Sequence, residues 1–362
     1  MTPAAWPRED RLDTRLLHVE PHHASFHDRH FAELPSLLAA GDLLVVNDAA
    51  TLPASLAGQT EKGEVEVRLA SGGATSSEWN AVLFGRGDWR QRTEDRPAPP
   101  TLGTGAVVDF AADFEARIER VFGLSPRLVA LRFNREGEDL WTALHRVGRP
   151  VQYSYLRGPL ALDQVQTAYA ARPVSMEMPS AGRALSAPLL RDLRRAGIVV
   201  AALTHAAGLS ATGDPALDAA LPFPEAYEIP HATIEAIHRT RRAGGRVVAA
   251  GTTVVRALEG CAAAHGGQPE PGTGLTELRL SGGFVPAVVD GLLTGLHESG
   301  TSHFDLLRAF APDPVLQAAH RHAETTGYLG HEFGDACLIL GPPRDSQTLH
   351  EGGQVAFVKS LG

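Results

Sequence analysis

From Pro150 onward, runs with helical apolar spacing alternate with short continuous apolar runs, a pattern that commits a chain to a layered α/β architecture. Ser186-Ala-Pro188 can cap a helix that puts Leu189, Leu190 and Leu193 on one face, Gly197 stops it, and residues 198–203 read as a buried strand. Pro230 then opens a helix carrying Ile234 and Ile237, and Gly244-Gly245 end it. Residues 246–250 form the next strand, and Val254, Leu258 and Cys261 give the following helix its stripe. Repeated units of this kind predict an α/β main domain with a largely parallel, barrel-like sheet. Ligands in such folds sit at the carboxyl ends of strands, here Thr204-His205, Gly251-Thr252-Thr253 and the loop after Asp290.

The stretch before Pro150 has another texture. Short alternating segments such as Val65-Glu-Val67-Arg-Leu69 and Trp79-Asn-Ala-Val-Leu83 are broken by Gly and Pro clusters, which predicts an inserted small β-barrel or sandwich. At 362 residues the chain exceeds a single core, whose limit is roughly 250–300 residues. The division expected is an α/β catalytic domain of residues 1–58 plus 150–362, with residues 59–149 as the inserted β-rich domain.

A formal charge of −9 argues against broad nucleic-acid binding through a basic face. Arg117, Arg120, Arg127 and Arg132 make the insert locally basic, diluted by Asp113, Glu115 and Glu119. Cys261 and Cys337 lie in apolar runs without metal or redox spacing and read as buried thiols. The first residues lack an apolar signal core, and no run of about 18 uncharged apolar residues occurs, so a cytoplasmic protein without membrane contact is expected. His297, Glu298 and His303 resemble a zinc-protease grouping, but the histidines are six apart across a glycine where that chemistry needs four, and no other histidine spacing suits a metal. No metal is expected.

The sharpest local feature is Arg246-Val-Val-Ala-Ala-Gly251-Thr252-Thr253-Val-Val-Arg256-Ala-Leu-Glu259. A strand runs through glycine into a helix start, so free N–H groups, the positive helix end and two hydroxyls converge where a carboxylate could bind. The competing reading has the threonines only capping the helix and Arg256 pairing with Glu259 on its surface; local sequence alone favours that reading slightly. A second dense segment, residues 293–303, gathers His297, Glu298, Thr301 and His303 around glycines, as a site loop would. Gly41-Asp-Leu-Leu-Val-Val-Asn47-Asp48 is a short buried strand ending in two polar residues.

These segments, in this order, resemble the S-adenosylmethionine:tRNA ribosyltransferase-isomerase family of queuosine biosynthesis. Residues 41–58 are similar to its "D-x-x-V-x-N-D-T-x-V-x-P-A-R-L-x-G" stretch, with Ser55 in place of the arginine. Gln166-Thr167-Ala-Tyr169-Ala170 is similar to "Y-Q-T-V-Y-A", and Pro179-Ser180-Ala181-Gly182 to the "P-T-A-G" of "A-A-P-T-A-G-L-H-F-T", with Arg183-Ala184-Leu185 replacing Leu-His-Phe. Residues 248–259 match "A-V-G-T-T-S-V-R-T-L-E", and residues 334–339 match "Y-G-D-A-M-L-I". Thr294-Gly-Leu-His297 replaces "T-N-F-H", Leu203-Thr204-His205 begins a changed "T-L-H-V-G-x-G-T-F", and Glu225 and Tyr227 alone remain of "H-x-M-H-x-E-x-Y".

The resemblance implies an enzyme that takes S-adenosylmethionine as co-substrate and needs no metal. It moves the ribosyl moiety onto 7-aminomethyl-7-deazaguanine in a tRNA and isomerises it to give epoxyqueuosine, releasing adenine and methionine. On this reading His297 is the base or proton carrier, Glu225 and Asp335 are carboxylates near the sulfonium or ribose hydroxyls, and Thr252, Thr253 and Arg256 hold the methionine or ribose end. Asn47, Asp48, Ser180, Gly182 and Thr301 complete the pocket. Two alternatives stay open: a same-fold enzyme that acts on S-adenosylmethionine with a small-molecule acceptor or none, and a non-catalytic nucleoside-binding paralogue.

Overall fold

Nine strands form the larger sheet, in the order Gly272–Thr276, Glu225–Ile229, Val199–His205, Leu43–Asn47, Val247–Ala250, Gly291–Gly295, Ala336–Leu340, Arg15–Glu20 and Ser25–His30. The computed structural model describes residues 1–342; residues 343–362, which the expected α/β domain includes, lie outside the described residues. The four central strands, from Val199–His205 to Gly291–Gly295, run parallel. Every residue of Leu43–Asn47 and Val247–Ala250 is buried, as a parallel sheet covered by helices on both faces requires. The flanking pairs are antiparallel at Glu225–Ile229, at Gly291–Gly295 with Ala336–Leu340, and at Ser25–His30. The α/β class is therefore as expected, while the larger sheet is mixed and open, not purely parallel. At its edge the four residues 21–24 join Arg15–Glu20 to Ser25–His30, a connection too short for a parallel crossover.

The helix signals act locally as anticipated. Ser186 caps Ala187–Arg195 by accepting from Leu189 N, and Leu189, Leu190 and Leu193 are buried. Gly197 ends the unit at φ +81°, a conformation glycine adopts without strain. Pro230 precedes His231–Arg242, and Thr252–Ala264 buries Val254, Leu258 and Cys261 against the sheet. Both cysteines are free and buried.

Six strands close a barrel in the order Phe114–Val121, Leu128–Phe133, Glu78–Phe84, Gly63–Gly72, Ser55–Thr60 and Val107–Ala111. Val67, Leu69, Leu83, Ile118 and Leu131 fill it, and Leu140 and Leu144 of helix Gly137–Val147 join the same core. Gly58 allows closure: a Cβ there would stand 2.5 Å from Val108 Cγ1. The barrel's arginines are largely spent on neighbours, with Arg132 paired to Glu78 and Glu119 and Arg127 donating to the carbonyls of Leu83 and Thr212. Among the described residues, no helix is long and apolar enough to cross a membrane.

Candidate functional site

The parallel strands deliver their carboxyl ends to one edge of the sheet, and the polar residues that follow them meet there. Gly251 turns the chain from strand Val247–Ala250 into helix Thr252–Ala264 with φ +104°, and it has no side chain to cap the first turn. The N–H groups of that turn are thus left facing the strand ends. Asn47, 1% exposed, ties the edge together. Its amide donates to His205 O at 2.9 Å and to Thr253 Oγ1 at 3.3 Å, and its Oδ1 accepts from the N–H groups of His205 and Ala49. Asp48 accepts from Thr204 Oγ1 at 2.6 Å.

Arg256 lies one turn into the helix, buried, and it pairs not with Glu259 but with Glu225 on strand Glu225–Ile229, the second strand from the sheet's edge. The surface-pair reading fails because both side chains are interior: Glu259 is 1% exposed and accepts three backbone N–H groups, from Ala287, Val288 and Val289. Glu225 also accepts from Gly208 N at 2.8 Å. Burial pushes the Glu225 carboxyl up and the Arg256 guanidinium down, so for each group loss of water outweighs the attraction that opposes it. Among the described residues, Arg256 Nη2 has no hydrogen-bond partner. His205, wholly buried, sits with Nε2 3.3 Å from Glu225 yet makes no ring hydrogen bond, and burial, reinforced by Arg256, lowers it to about 3.

His297 stands at the end of strand Gly291–Gly295, where Thr294 Oγ1 is 2.8 Å from its Nε2 and His303 stacks on it at 5.0 Å between centroids. Burial, then the neighbouring His303 and His331, brings it down to about 3, so it is neutral at ordinary pH. Turn Ser180–Gly182 packs against the same strand, and Ala181 lies 3.6 Å from where a Cβ on Gly251 would stand. Gly182 is there because Tyr169 fills the space: an added Cβ would meet its hydroxyl at 1.9 Å.

Two anticipated residues have structural engagements. Asp335 is 2% exposed and saturated, receiving Arg8 at 2.5 Å, Arg15 N at 3.0 Å and Leu329 N at 2.8 Å. Thr301 is exposed and caps helix Ser302–Leu307 by accepting from Phe304 N. Among the described residues, no hydrogen bond or ion pair joins His297, Glu225 and Asp335 to one another.

Sequence reasoning passed over a second wall. Tyr153 donates to Glu177, which also receives Ser210 N at 3.0 Å, and the Tyr155 ring packs on His331 with centroids 4.4 Å apart and planes tilted 39°. Beside them the barrel mouth holds a buried network in which Glu66 receives Arg68 at 2.6 Å and also binds Arg96. A glutamate between two methionines at 176–178 was the visible signal. A cavity of about 310 Å³, lined by His18, Glu20, His22, His23 and Arg246, opens at the opposite end of the sheet. Arg246 precedes the strand that Gly251 follows, so this cavity is remote from the strand ends described above. Among the described residues, no group of three or more His, Cys, Asp or Glu side chains could hold a metal ion.

Fold and site together define an α/β protein with an inserted closed barrel and a polar, largely buried side-chain cluster at the carboxyl ends of its parallel strands. The family model described as queuosine biosynthesis protein matches residues 2–339. S-adenosylmethionine:tRNA ribosyltransferase-isomerase of Gloeobacter violaceus is 38% identical over 343 residues, covering 93% of this chain and 92% of that protein. The protein of the same name from Anaeromyxobacter dehalogenans is 36% identical, covering 92% and 94%. A crystal structure of S-adenosylmethionine tRNA ribosyltransferase from Thermotoga maritima shares the fold at a TM-score of 0.51 and 23% identity, covering 93% of this chain and 96% of that one. The chain belongs to the queuosine biosynthesis protein family.

Proposed function

We propose that this chain is a cytoplasmic S-adenosylmethionine:tRNA ribosyltransferase-isomerase, transferring and isomerising the ribosyl moiety of S-adenosylmethionine onto 7-aminomethyl-7-deazaguanine in a tRNA to give epoxyqueuosine, with release of adenine and methionine. The relatives' shared name over nearly their whole length supports it and does not favour the small-molecule acceptor. The single structural observation that carries it is the polar cluster at the strand ends. There an uncapped helix start and, among the described residues, an Arg256 Nη2 and a His205 Nδ1 without hydrogen bonds could serve a polar ligand.

The helix start and Arg256 suit a carboxylate such as that of the methionine end, which would complete the guanidinium's hydrogen bonds. Thr252 and Thr253 flank it, and Asn47, Asp48, Ser180 and Gly182 form the wall. Glu225 offers negative charge to the sulfonium, which when bound acidifies the adjacent ribose carbon. His297, neutral and held by Thr294, is our proton carrier. Asp335 acts one step back, fixing Arg8 and the 329–335 turn. The barrel, whose first strand Ser55–Thr60 begins four residues before the expected 59–149 insert, is our far wall of the site.

The test is to incubate the protein with S-adenosylmethionine, with and without tRNA carrying the 7-aminomethyl-7-deazaguanine base, and to follow adenine, methionine and the nucleosides of digested tRNA. Adenine release that depends on tRNA and yields epoxyqueuosine is the expected result. Release without tRNA would favour a small-molecule enzyme, and none at all a binding protein. Full turnover by folded His297→Ala would sink the proton-carrier assignment.

A further inference from the structure

We propose that the small cavity lined by Gln152, Tyr153, Tyr155, Glu177, Glu332 and Phe333 is a pocket for the primary ammonium group of the acceptor, with the Glu332 carboxylate as its counter-ion. This rests on the reading above, which makes the acceptor an amine-bearing base.

The cavity has a volume of about 20 Å³, room for one water-sized group, which is the size of an ammonium head and far too small for a nucleobase. Its polar lining is Gln152, Tyr153, Tyr155, Glu177, Glu332 and Thr51, with two carboxylates and neither lysine nor arginine. Glu332 is half-buried as a residue, but its Oε2 is sealed from solvent and has no hydrogen-bond partner, and the Tyr155 hydroxyl is in the same condition. A sealed carboxylate oxygen without a donor is costly. An ammonium brings three donors and a compensating charge, and the Tyr153 and Tyr155 rings, near-parallel at 6.3 Å, offer aromatic surface that favours a cation.

The pocket also lies in the right place. Tyr155 packs against His331 in a tilted ring pair, and His331 is close enough to His297 to help lower its basicity. An amine held by Glu332 would therefore stand one ring pair from the proposed proton carrier. Burial raises the Glu332 carboxyl to about 7, so the pocket would gain its charge as pH rises through neutrality. The other titratable groups on or behind its walls are Glu177, itself raised by burial, Tyr153 and Tyr155, with the Arg68 guanidinium over the Tyr153 ring and His331 as the chain neighbour.

The experiment measures binding of acceptors with and without the ammonium group. One arm compares tRNA carrying 7-aminomethyl-7-deazaguanine with the same tRNA carrying guanine; the other compares free 7-aminomethyl-7-deazaguanine with 7-methyl-7-deazaguanine. Wild-type protein is expected to prefer the ammonium form by about tenfold or more, the scale of a buried charge-assisted hydrogen bond. Glu332→Gln, close to isosteric, should reduce that preference to about threefold or less while S-adenosylmethionine binding is unchanged, and Tyr155→Phe should reduce it partially. The wild-type preference should shrink as pH falls through about 7 and be flat in Glu332→Gln. Preference confined to the free-base arm keeps the pocket and removes the tRNA reading. No preference in either arm, or a preference that survives Glu332→Gln, overturns the pocket.

Discussion

Arg256→Met keeps the length and apolar stem of the side chain but removes the charge that Glu225 faces. In the wild-type protein Glu225 has two kinds of partner, the Arg256 guanidinium and the Gly208 N–H at 2.8 Å, in surroundings where it is 8% exposed. The variant leaves a buried carboxylate with a single neutral donor and a neutral imidazole 3.3 Å away. Loss of one member of a buried pair costs about 3–5 kcal/mol. For a unit of this size each kcal/mol moves the melting midpoint by about 2–4 °C, so a drop on the order of 10 °C is expected. Glu225→Gln/Arg256→Met should recover more than half of that loss, because neither charge is then stranded. The sign with pH is also determined. A carboxylate raised above its unfolded value tolerates protonation, so the deficit of Arg256→Met should be largest well above the raised value and shrink as the pH falls through it. Calorimetric melts of the wild type, both single variants and the double variant across pH provide the full cycle. A midpoint within about 1 °C of wild type for Arg256→Met, or a double variant at the sum of the singles, would refute the reasoning.

Gly182→Ala forces a Cβ to 1.9 Å from the Tyr169 hydroxyl, with an expected loss of about 1–3 kcal/mol; combining it with Tyr169→Phe should restore part of the denaturant midpoint. Glu332→Gln removes a carboxyl raised from 4.5 to about 7, so it should stabilise the protein by roughly 2–3 kcal/mol above that pH and by little near pH 4; a pH-independent change in melting would contradict the burial argument. Thr301→Ala removes the cap of helix Ser302–Leu307 and should cost about 1 kcal/mol, read from urea titration. His297 stays neutral down to about 3, so the acid limb of turnover should not shift when His297 is replaced by Gln in a variant with residual activity; a shifted limb would assign that limb to His297.

The sequence by itself determined the local elements. Helix caps, apolar stripes and glycine stops depend on neighbours within a turn or two, which is why Ser186, Gly197, Pro230 and the Gly251-Thr252 junction mark real boundaries. It also marked the β-rich insert through its alternation, and the family through motifs spread along the chain. The openness of the larger sheet was not legible, because the flanking strands reverse direction through connections whose geometry no periodicity records. Charge partners were decided by the tertiary structure alone. Local spacing offers Glu259 to Arg256, yet the helix turns both inward, and register brings in Glu225 from 31 residues away. Asp335 is claimed by Arg8, 327 residues distant. Glu332 Oε2 loses water in a cavity that it shares with Gln152, Tyr153 and Tyr155, residues far from it in sequence. Burial and register set which ions meet and which groups lose water, and neither is a property of a segment on its own.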